Sequence, residues 1–404
     1  MTLQTAAIPL DTLPFLDPAS AQFRRDPYRI LQQLRSRHWA ALSPYGIHLL
    51  TYDACNALLR DKRFHQGSAL IARSSGLTAG DFYDSWTSSM TAQQGVDHAR
   101  LRRLVAPYFH HRSIQTLQGY VRELTGRLAD RAGDRSEFFS AVANVIPGAF
   151  FCTMIGAPET DAGYVARLSE DLLSVFNMDP ANVPRIEAGH AQITSYVEDL
   201  LEERRRRPGG TDMLSALLEA ESEGSRLTGA EVVNLVITTL EASTDNTSNQ
   251  LALAVLLGCR HPEAWAELSA DPTLADAWLE ETMRLEPRIV NAQRSADADV
   301  EFRGLRVPAG SLVFATVASA HRDPDAYPNP DRFDLHRVDP RPSLNFGAGP
   351  HYCIGAPLVR LQVTEALAVL ARRWPVMRLA EEPVIRYGLG VTDVESLLLH
   401  VGPA

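Results

Sequence analysis

The sequence has few cysteines and almost no lysine. Its four cysteines are widely spaced among 404 residues and form no C-x-x-C pair, so neither a disulfide framework nor a zinc site is expected. Lys62 is the only lysine among 39 basic residues, a bias that indicates a GC-rich bacterial genome. The formal net charge of −10 at pH 7 argues against a general nucleic-acid binder, because neutralising phosphates needs a basic face.

Long hydrophobic runs are also missing. No stretch approaches about 18 uninterrupted apolar residues, so no membrane span is expected. The first twenty residues lack a basic segment followed by an apolar one, which is not typical of a signal peptide, and we expect a cytoplasmic protein. With 45% hydrophobic and 22% charged residues, the composition is that of an ordinary globular protein.

The remaining pattern predicts a mainly α fold with a minor β part. Residues 98–285 are almost wholly helical in pattern, and short β-like runs follow. Residues 66–95 form a polar segment with isolated aromatic residues, which predicts an irregular substrate-access or binding loop. No linker divides the chain, so we expect a single domain over residues 1–404, with residues 1–20 as an N-terminal extension.

Cys353 differs from the other cysteines in its surroundings. Three glycines and a proline fall within residues 346–355, a composition typical of a rigid turn. The helical sequence APLVRLQVTEALAVLARR follows at once, so the cysteine precedes a helix N-terminus, where backbone N–H groups and the helix dipole favour an anion. Such a position lowers the pKa of a thiol and favours the thiolate, the form that binds a metal.

Residues 346–355 match F-G-x-G-x-H-x-C-x-G at every fixed position and resemble the cysteine loop of cytochromes P450. The resemblance covers nearly the whole chain and implies the cytochrome P450 fold. It implies haem b as the cofactor, with Cys353 as the ligand of the iron and Phe346, Gly347 and Gly355 against the haem. A thiolate ligand pushes electron density to the iron and favours O–O cleavage.

Two further sets of residues carry the resemblance. Glu281 and Arg284 share one face of a helix and can pair; together with Arg332, the resemblance implies a structural triad that braces the cysteine loop. The haem propionates need several charge-assisted donors. For these the resemblance implies four residues: His98, Arg102, Arg294 and His351.

A long helix is predicted in the second half of the chain. Thr228 and Glu231 form a capping box, and the helix should run for roughly 30 residues, enough to cross a domain. Residues 243–249 in its middle are poor helix formers whose side chains compete for backbone hydrogen bonds. A local rule broken inside a regular element indicates function.

This polar run resembles the family pattern A-G-x-[DE]-T-T of the helix that crosses above the haem. Ala242 and Asp245 match, but Asn246 replaces the threonine that helps to deliver protons in typical members. An amide does not relay protons as a hydroxyl does. Either Thr247 or an ordered water takes over this task, or the reaction needs less oxygen activation than hydroxylation.

Glu241 lies one turn before Asp245 on the same helix face. If this face lines the pocket, Glu241 binds an N–H group or amine of the substrate or relays protons; alternatively, it pairs with an arginine away from the pocket. The predicted catalytic residues are Glu241, Asp245, Asn246 and Thr247. The predicted substrate-lining residues are Thr238, Glu241, Ala242, Val290 and Asn291.

Together these features predict a monooxygenase that uses O2 to oxidise a small, hydrogen-bonding natural product in bacterial specialised metabolism. The chain resembles family members that receive NAD(P)H-derived electrons from a ferredoxin and a ferredoxin reductase. One alternative is oxidative C–C or C–N coupling of aromatic substrates, for example cyclic dipeptides, without oxygen insertion. An alternative of another class is a non-catalytic haem-thiolate sensor.

Overall fold

The computed structural model describes residues 8–210, 212–222, 227–338 and 341–402. Helices dominate these segments, as predicted. In chain order they are α1 Ala21–Arg25, α2 Pro27–Arg35, α3 Tyr52–Arg60, α4 Ser68–Ser74, α5 Asp81–Ser88, α6 Gly95–Val105, α7 His111–Gln115, α8 Gln118–Arg131, α9 Val145–Ile155, α10 Ala162–Leu173, α11 Val183–Arg206, α12 Met213–Ser222, α13 Gly229–Arg260, α14 Pro262–Ala270, α15 Ala275–Leu285, α16 Val317–Ala320 and α17 Ala356–Arg373.

The strands of these segments are short and form small sheets. They are β1 Ala40–Ser43, β2 Gly46–Leu49, β3 Phe64–His65, β4 Arg135–Glu137, β5 Asn291–Ala296, β6 Val300–Phe302, β7 Leu305–Val307, β8 Leu312–Thr316, β9 Met377–Leu379, β10 Val384–Tyr387, β11 Thr392–Ser396 and β12 Leu398–Val401. One sheet has the order β1-β2-β8-β5-β3, a second has the order β4-β12-β9, and β6-β7 and β10-β11 are separate hairpins. The predicted mainly α fold with a minor β part is confirmed.

Helix α13 is the long helix that the capping box predicts. The Glu231 backbone N–H donates to Thr228 Oγ1 at 3.2 Å, and the Thr228 N–H donates to Glu231 Oε2 at 2.8 Å. The 32 residues of the helix span about 48 Å. Its polar run stays helical because hydroxyls donate to carbonyls one turn earlier, as from Ser243 Oγ to Thr239 O at 2.5 Å and from Thr247 Oγ1 to Ser243 O at 3.1 Å.

Helix α17 fixes the position of the cysteine loop, which it follows directly. It packs against α8, α13, α14 and α15. Two buried indole groups join these helices: Trp278 Nε1 donates to Ala254 O at 3.0 Å, and Trp265 Nε1 donates to Trp374 O at 2.9 Å. Each bond satisfies the one polar atom of a buried ring, so the loop rests on a rigid helical core.

The segment 66–95 is more regular than the sequence predicts. It contains α4 and α5, and the Trp86 indole N–H donates to Ser68 O at 3.0 Å. Phe82 and Trp86, four residues apart on α5, are both buried, and their rings stack with centroids 5.6 Å apart. The expected irregular loop is therefore wrong, because its aromatic residues have helical spacing and form a small core. Its role in substrate access stays a prediction.

The N-terminal segment packs along the large sheet. Leu16 is 1% exposed, and its backbone N–H donates to Leu42 O at 2.8 Å. Residues 1–7 of the expected N-terminal extension lie outside the described residues. Among the helices of the described segments, none combines the length and the apolar composition that crossing a membrane requires.

Candidate active site

The cysteine loop is held in a tight, glycine-dependent turn. Cys353 N–H donates to Phe346 O at 2.8 Å, and Gly347 and Gly349 adopt φ of 68° and 71°, which favour glycine. A Cβ on Gly355 would lie 3.7 Å from Cys353 Sγ, so this glycine keeps the space beside the sulfur open. The predicted rigid turn is present, and α17 begins at once after Gly355.

The electrostatics of Cys353 differ from the expectation. Burial raises the pKa of the Cys353 thiol, while the backbone N–H groups of Gly355 and Ala356 and the guanidinium of Arg102 act in the opposite direction. The helix N-terminus therefore favours the thiolate, as predicted, but does not outweigh burial within the protein alone. A metal ion bound at Cys353 would supply the missing stabilisation, because metal binding deprotonates a thiol.

Two of the three residues predicted to form the brace, Glu281 and Arg284, are paired in the structure. Arg284 Nη2 donates to Glu281 Oε1 at 2.8 Å, and both side chains are buried. The second arginine on Glu281 is Arg337, whose Nε lies 3.1 Å from Glu281 Oε2 and whose Nη2 lies 3.1 Å from Oε1. The assignment of Arg332 to this position is wrong.

A turn explains the correction. The side chain of Arg332 is exposed, and its carbonyl accepts hydrogen bonds from Arg284 at 2.8 Å and Arg337 at 3.0 Å. The chain then turns back: the Asp334 N–H donates to Glu281 Oε1 at 2.8 Å, and the Arg337 N–H donates to Asp334 O at 3.2 Å. This turn carries the guanidinium of Arg337, not that of Arg332, to the glutamate.

The four residues predicted to contact haem propionates occupy one region beside the cysteine loop. The rings of His98 and His351 lie 4.2 Å apart between centroids. Arg102 Nη2 donates to Tyr352 O at 2.8 Å, next to the cysteine. Arg294 is 6% exposed, and its Nη1 donates to Gln293 O at 2.7 Å.

Arg102 and Arg294 make this region positive. In the described part of the chain, no carboxylate pairs with His98, Arg102, Arg294 or His351. Burial lowers the pKa of Arg294 to about 10. Burial, and then the charges of His98, Arg294 and Arg102, lower the pKa of His351 to about 3. Buried cations are normally paired, so the donor set fits a ligand that brings its own carboxylates, as a haem does.

Helix α13 presents one open face among buried ones. Ala242 is exposed, and Asn246, one turn later, is partly exposed, although most residues around them are buried. Asp245 points elsewhere: its two carboxylate oxygens accept from Arg288 Nη2 and from Asn249 Nδ2, the latter at 3.0 Å. Ala242 and Asn246 therefore face the open side, while the acid is bonded within the protein.

Asp245 also borders a polar cavity of about 950 Å³ between α13, α10, α11 and the hairpin β10–β11. Burial raises the pKa of Asp245, and the Arg288 guanidinium acts in the opposite direction. Arg288 also pairs with Asp393, which pairs with Arg386 at 2.5 Å. Arg386 is half-exposed, so a chain of charges connects the middle of α13 to solvent.

Glu241 is buried without a partner. It is 6% exposed, and no hydrogen bond or ion pair joins it to another described residue. Burial alone raises its pKa to about 8. The alternative in which Glu241 pairs with an arginine therefore finds no support among the described residues. Thr238, one turn earlier, donates to Asn234 Oδ1 at 3.2 Å, and Asn234 in turn donates to Ser85 O of α5 at 2.7 Å.

The remaining predicted residues have well-defined surroundings. Val290 is 3% exposed and packs in the apolar cluster that includes Leu16 and Ala318. The Asn291 amide donates to Leu389 O at 2.5 Å in the turn between β10 and β11. Thr247 is 1% exposed and its hydroxyl donates within α13. Their substrate-lining and catalytic roles stay predictions.

Three groups of contacts in the site were not predicted from the sequence. Arg288 had a signal, because a lone arginine between Pro287 and Ile289 in a buried segment needs carboxylates nearby. Nothing in the sequence indicated that Arg337 contacts Glu281, except that it is another arginine in the same polar stretch as Arg332. Gln66 and Gln94, which contact Arg294 at 3.2 Å and His351 at 3.0 Å, lie in the segment expected to be irregular and had no local signal.

Comparison with known proteins agrees with this geometry. The family model for Cytochrome P450 matches residues 82–384. Luteothin monooxygenase from Streptomyces thioluteus is 34% identical over 97% of both chains. Epothilone C/D epoxidase from Sorangium cellulosum is 31% identical over 98% of this chain and 97% of its own.

A solved structure extends the agreement to the fold. The epothilone D-bound cytochrome P450epoK superposes with a TM-score of 0.89 at 30% sequence identity, over 96% of this chain and 99% of that one. With the cysteine motif, the brace and the positive region already established, the chain belongs to the cytochrome P450 family of haem-thiolate oxidoreductases.

Proposed function

We propose that this cytochrome P450 uses O2 to oxidise a small natural product that carries hydrogen-bonding groups, in bacterial specialised metabolism. The bound group is haem b, and its electrons come from NAD(P)H through a ferredoxin reductase and a ferredoxin in the cytoplasm. The two curated relatives are a monooxygenase and an epoxidase by name, which favours oxygen insertion as the reaction.

Haem b supplies the oxidising chemistry when bound, and the chain's own residues hold and orient it. Cys353 provides the thiolate. His98, Arg102, Arg294 and His351 offer donors to the two propionates, in the region where the described residues leave the two arginines without carboxylates. Glu281, Arg284 and Arg337 keep the loop in place from behind. The open face of α13 at Ala242 borders the substrate.

The observation that carries the substrate class is Glu241. A buried carboxyl group without a partner costs free energy, and a substrate donor can complete its hydrogen bonding. Its position one turn from Asp245, and beside the Thr238–Asn234–Ser85 chain of hydrogen bonds, gives this part of the helix several polar groups. A plain hydrocarbon would leave the Glu241 carboxyl group without a hydrogen-bond partner, which is unfavourable for binding.

A binding experiment tests this class. Pairs of candidate ligands that differ by one N–H or O–H group are screened by the shift in the haem absorption spectrum. The polar member should bind roughly tenfold or more tightly to the parent, because an unpaired buried group is costly. In Glu241→Leu this preference should shrink, while Glu395→Gln, on the solvent side of the hairpin, should retain it. Equal affinities for both members of every pair would refute the class.

Turnover tests the reaction. Ligands that shift the spectrum are incubated with NAD(P)H, a surrogate ferredoxin and its reductase under isotopically labelled O2. The expected result is one labelled oxygen atom in the main product. No NAD(P)H consumption with any spectral ligand would instead support a non-catalytic sensor.

Oxidative coupling of aromatic substrates is the second candidate. The observation in its favour is Asn246, since an amide at this position does not relay protons as a hydroxyl does. Coupling removes hydrogen atoms or electrons and inserts no oxygen, so it depends less on proton delivery. A main product without the isotopic label, with a mass equal to two joined units less two hydrogens, would identify it.

A further inference from the structure

Arg288 ties the middle of α13 to the hairpin β10–β11. Its guanidinium is 4% exposed and donates to the carboxylates of both Asp245 and Asp393. Nη1 also donates to Thr392 O at 2.6 Å, and Nε donates to Asn246 Oδ1 at 3.3 Å. One buried side chain therefore binds two consecutive residues of the helix and two consecutive residues of β11.

The contact with Nε determines which way the Asn246 amide faces. A guanidinium only donates hydrogen bonds, so only the carbonyl end of the amide can face Arg288. The NH2 end must then point away from Arg288. It has no hydrogen-bond partner among the described residues, and Asn246 is partly exposed on the helix face where Ala242 is exposed.

Asp245 is directed the other way. Both of its oxygens are bonded within the protein, one to Arg288 and one to Asn249, and Asn249 Oδ1 accepts from the Val394 N–H of β11 at 2.8 Å. The acid is thus anchored toward the hairpin and the polar cavity. Of Asp245 and Asn246, only the Asn246 amide is therefore available to bind a group at the open face.

We propose that Arg288 is a positioning residue that makes Asn246 a pure hydrogen-bond donor toward the open face of α13. The group that Asn246 takes there is an acceptor atom with a free lone pair, on a small haem ligand or on the substrate. An amide gives up no proton at neutral pH, so protons reach this face through water rather than through residue 246. The inference rests on the proposed position of the haem beneath this face.

The test uses cyanide and carbon monoxide as probes of the haem-loaded protein. In Arg288→Lys a positive charge remains between Asp245 and Asp393, but the planar fork that also reaches Asn246 is lost. Arg288→Lys and Asn246→Leu should both bind cyanide about fivefold more weakly, the effect of one lost hydrogen bond of about 1 kcal/mol. Both should raise the C–O stretching frequency of the reduced carbon-monoxide complex, because an N–H donor at the oxygen weakens the C–O bond.

Glu395→Gln is the matched control. It breaks an ion pair with Arg386 on the same hairpin, has no contact with Arg288, and should leave both probes at parental values. If Arg288→Lys also leaves them unchanged while Asn246→Leu shifts them, Arg288 does not orient the amide and the proposal is overturned. No effect of Asn246→Leu would overturn it as well, since the amide would then donate nothing to this face.

Asp393→Asn decides the matter if Arg288→Lys fails to take up haem. It weakens the ionic chain but leaves the bond from Nε to Asn246, so the probes should stay at parental values. A shift as large as that of Asn246→Leu would overturn the proposal, because the ionic chain would then orient the amide. The probes need haem but no substrate, so a wrong substrate class leaves this test intact. A parent without a haem-thiolate spectrum would overturn the inference and the proposed function together.

Discussion

The two sides of the proposed haem site have opposite electrostatics. Beside the cysteine loop, Arg102 and Arg294 lie without any carboxylate partner among the described residues, and the rings of His98 and His351 lie in the same region. On α13 the charges are almost fully matched inside the chain, because Arg288 lies between Asp245 and Asp393. Only Glu241 remains unmatched there. The cysteine side has positive charges without carboxylate partners, whereas the charges of Asp245, Arg288 and Asp393 on the other side are paired with one another.

This difference separates the side of the site that matches the family motif from the side where Asn246 departs from the family pattern. The cysteine side matches the family motif at every fixed position of residues 346–355. A side that meets the substrate is free to change, provided that its own charges stay balanced. Asn246 and Arg288 are joined by a hydrogen bond of 3.3 Å, so a change at one position would alter the surroundings of the other.

The largest expected effect is the loss of the thiolate ligand on the cysteine side. Cys353→Ser removes the thiolate, so the reduced, carbon-monoxide-bound protein should lose its red-shifted thiolate absorption band completely and turnover with it. Cys259→Ser, which alters another partly buried cysteine, is the control and should retain both. A parent protein that lacks the band would refute the assignment of Cys353.

The second-largest effect is expected at the brace formed by Glu281, Arg284 and Arg337, where it concerns the free energy of unfolding. Arg337→Ala breaks a buried ion pair and leaves Glu281 short of a partner, which should lower the free energy of unfolding by about 3–5 kcal/mol. Arg332→Ala, which removes an exposed side chain, should change it by less than about 0.5 kcal/mol. Urea unfolding of both variants measures the contrast, and equal effects would show that the turn is wrongly assigned.

Glu241 on α13 should make the free energy of unfolding depend on pH. Its pKa is raised from 4.5 in the unfolded chain to about 8, so the folded state keeps a proton that the unfolded state loses. Its contribution to stability is complete below about pH 4.5 and is lost as pH rises through about 8. Glu241→Gln should therefore remove up to about 4 kcal/mol of the fall in unfolding free energy between pH 5 and pH 8. Parallel pH profiles for parent and variant, without ligand, would contradict the burial of an unpaired carboxyl.

The smallest of these effects concerns the propionate donors. Arg294→Gln removes one charge-assisted hydrogen bond, worth about 1.5–3 kcal/mol, and should speed haem loss to apomyoglobin roughly 10–100-fold. Arg306→Gln, at an exposed ion pair with Asp299, should leave the rate unchanged. Unaltered haem loss in Arg294→Gln would place the propionates elsewhere.

Much of the fold and half of the site follow from local sequence. The capping box at Thr228, the turn at residues 346–355 and the pair Glu281–Arg284 are set by neighbours within a few residues, and the structure confirms each. Their physical causes are short-range, so a single sequence carries them.

The rest depends on contacts between distant segments. The choice of Arg337 over Arg332 is made by a turn whose hydrogen bonds go to a helix some fifty residues earlier. The bonds of Arg288 reach α13 on one side and β11 on the other. Periodicity describes one element at a time, so it gives no account of which elements meet.

The contacts that hold the hairpin β10–β11 in place have a consequence for protein engineering. Val290 N–H and Asn291 N–H both donate to Gly390 O, at 2.9 Å and 3.2 Å, and Asp393 of the same hairpin completes the setting of Arg288. A chimera that imports a foreign β10–β11 loop to widen the range of accepted compounds would also import or lose the counter-ion of Arg288. Grafts that retain Asp393 should therefore outperform grafts of identical length without it, because an exchange of this hairpin is also an exchange of the counter-ion of Arg288.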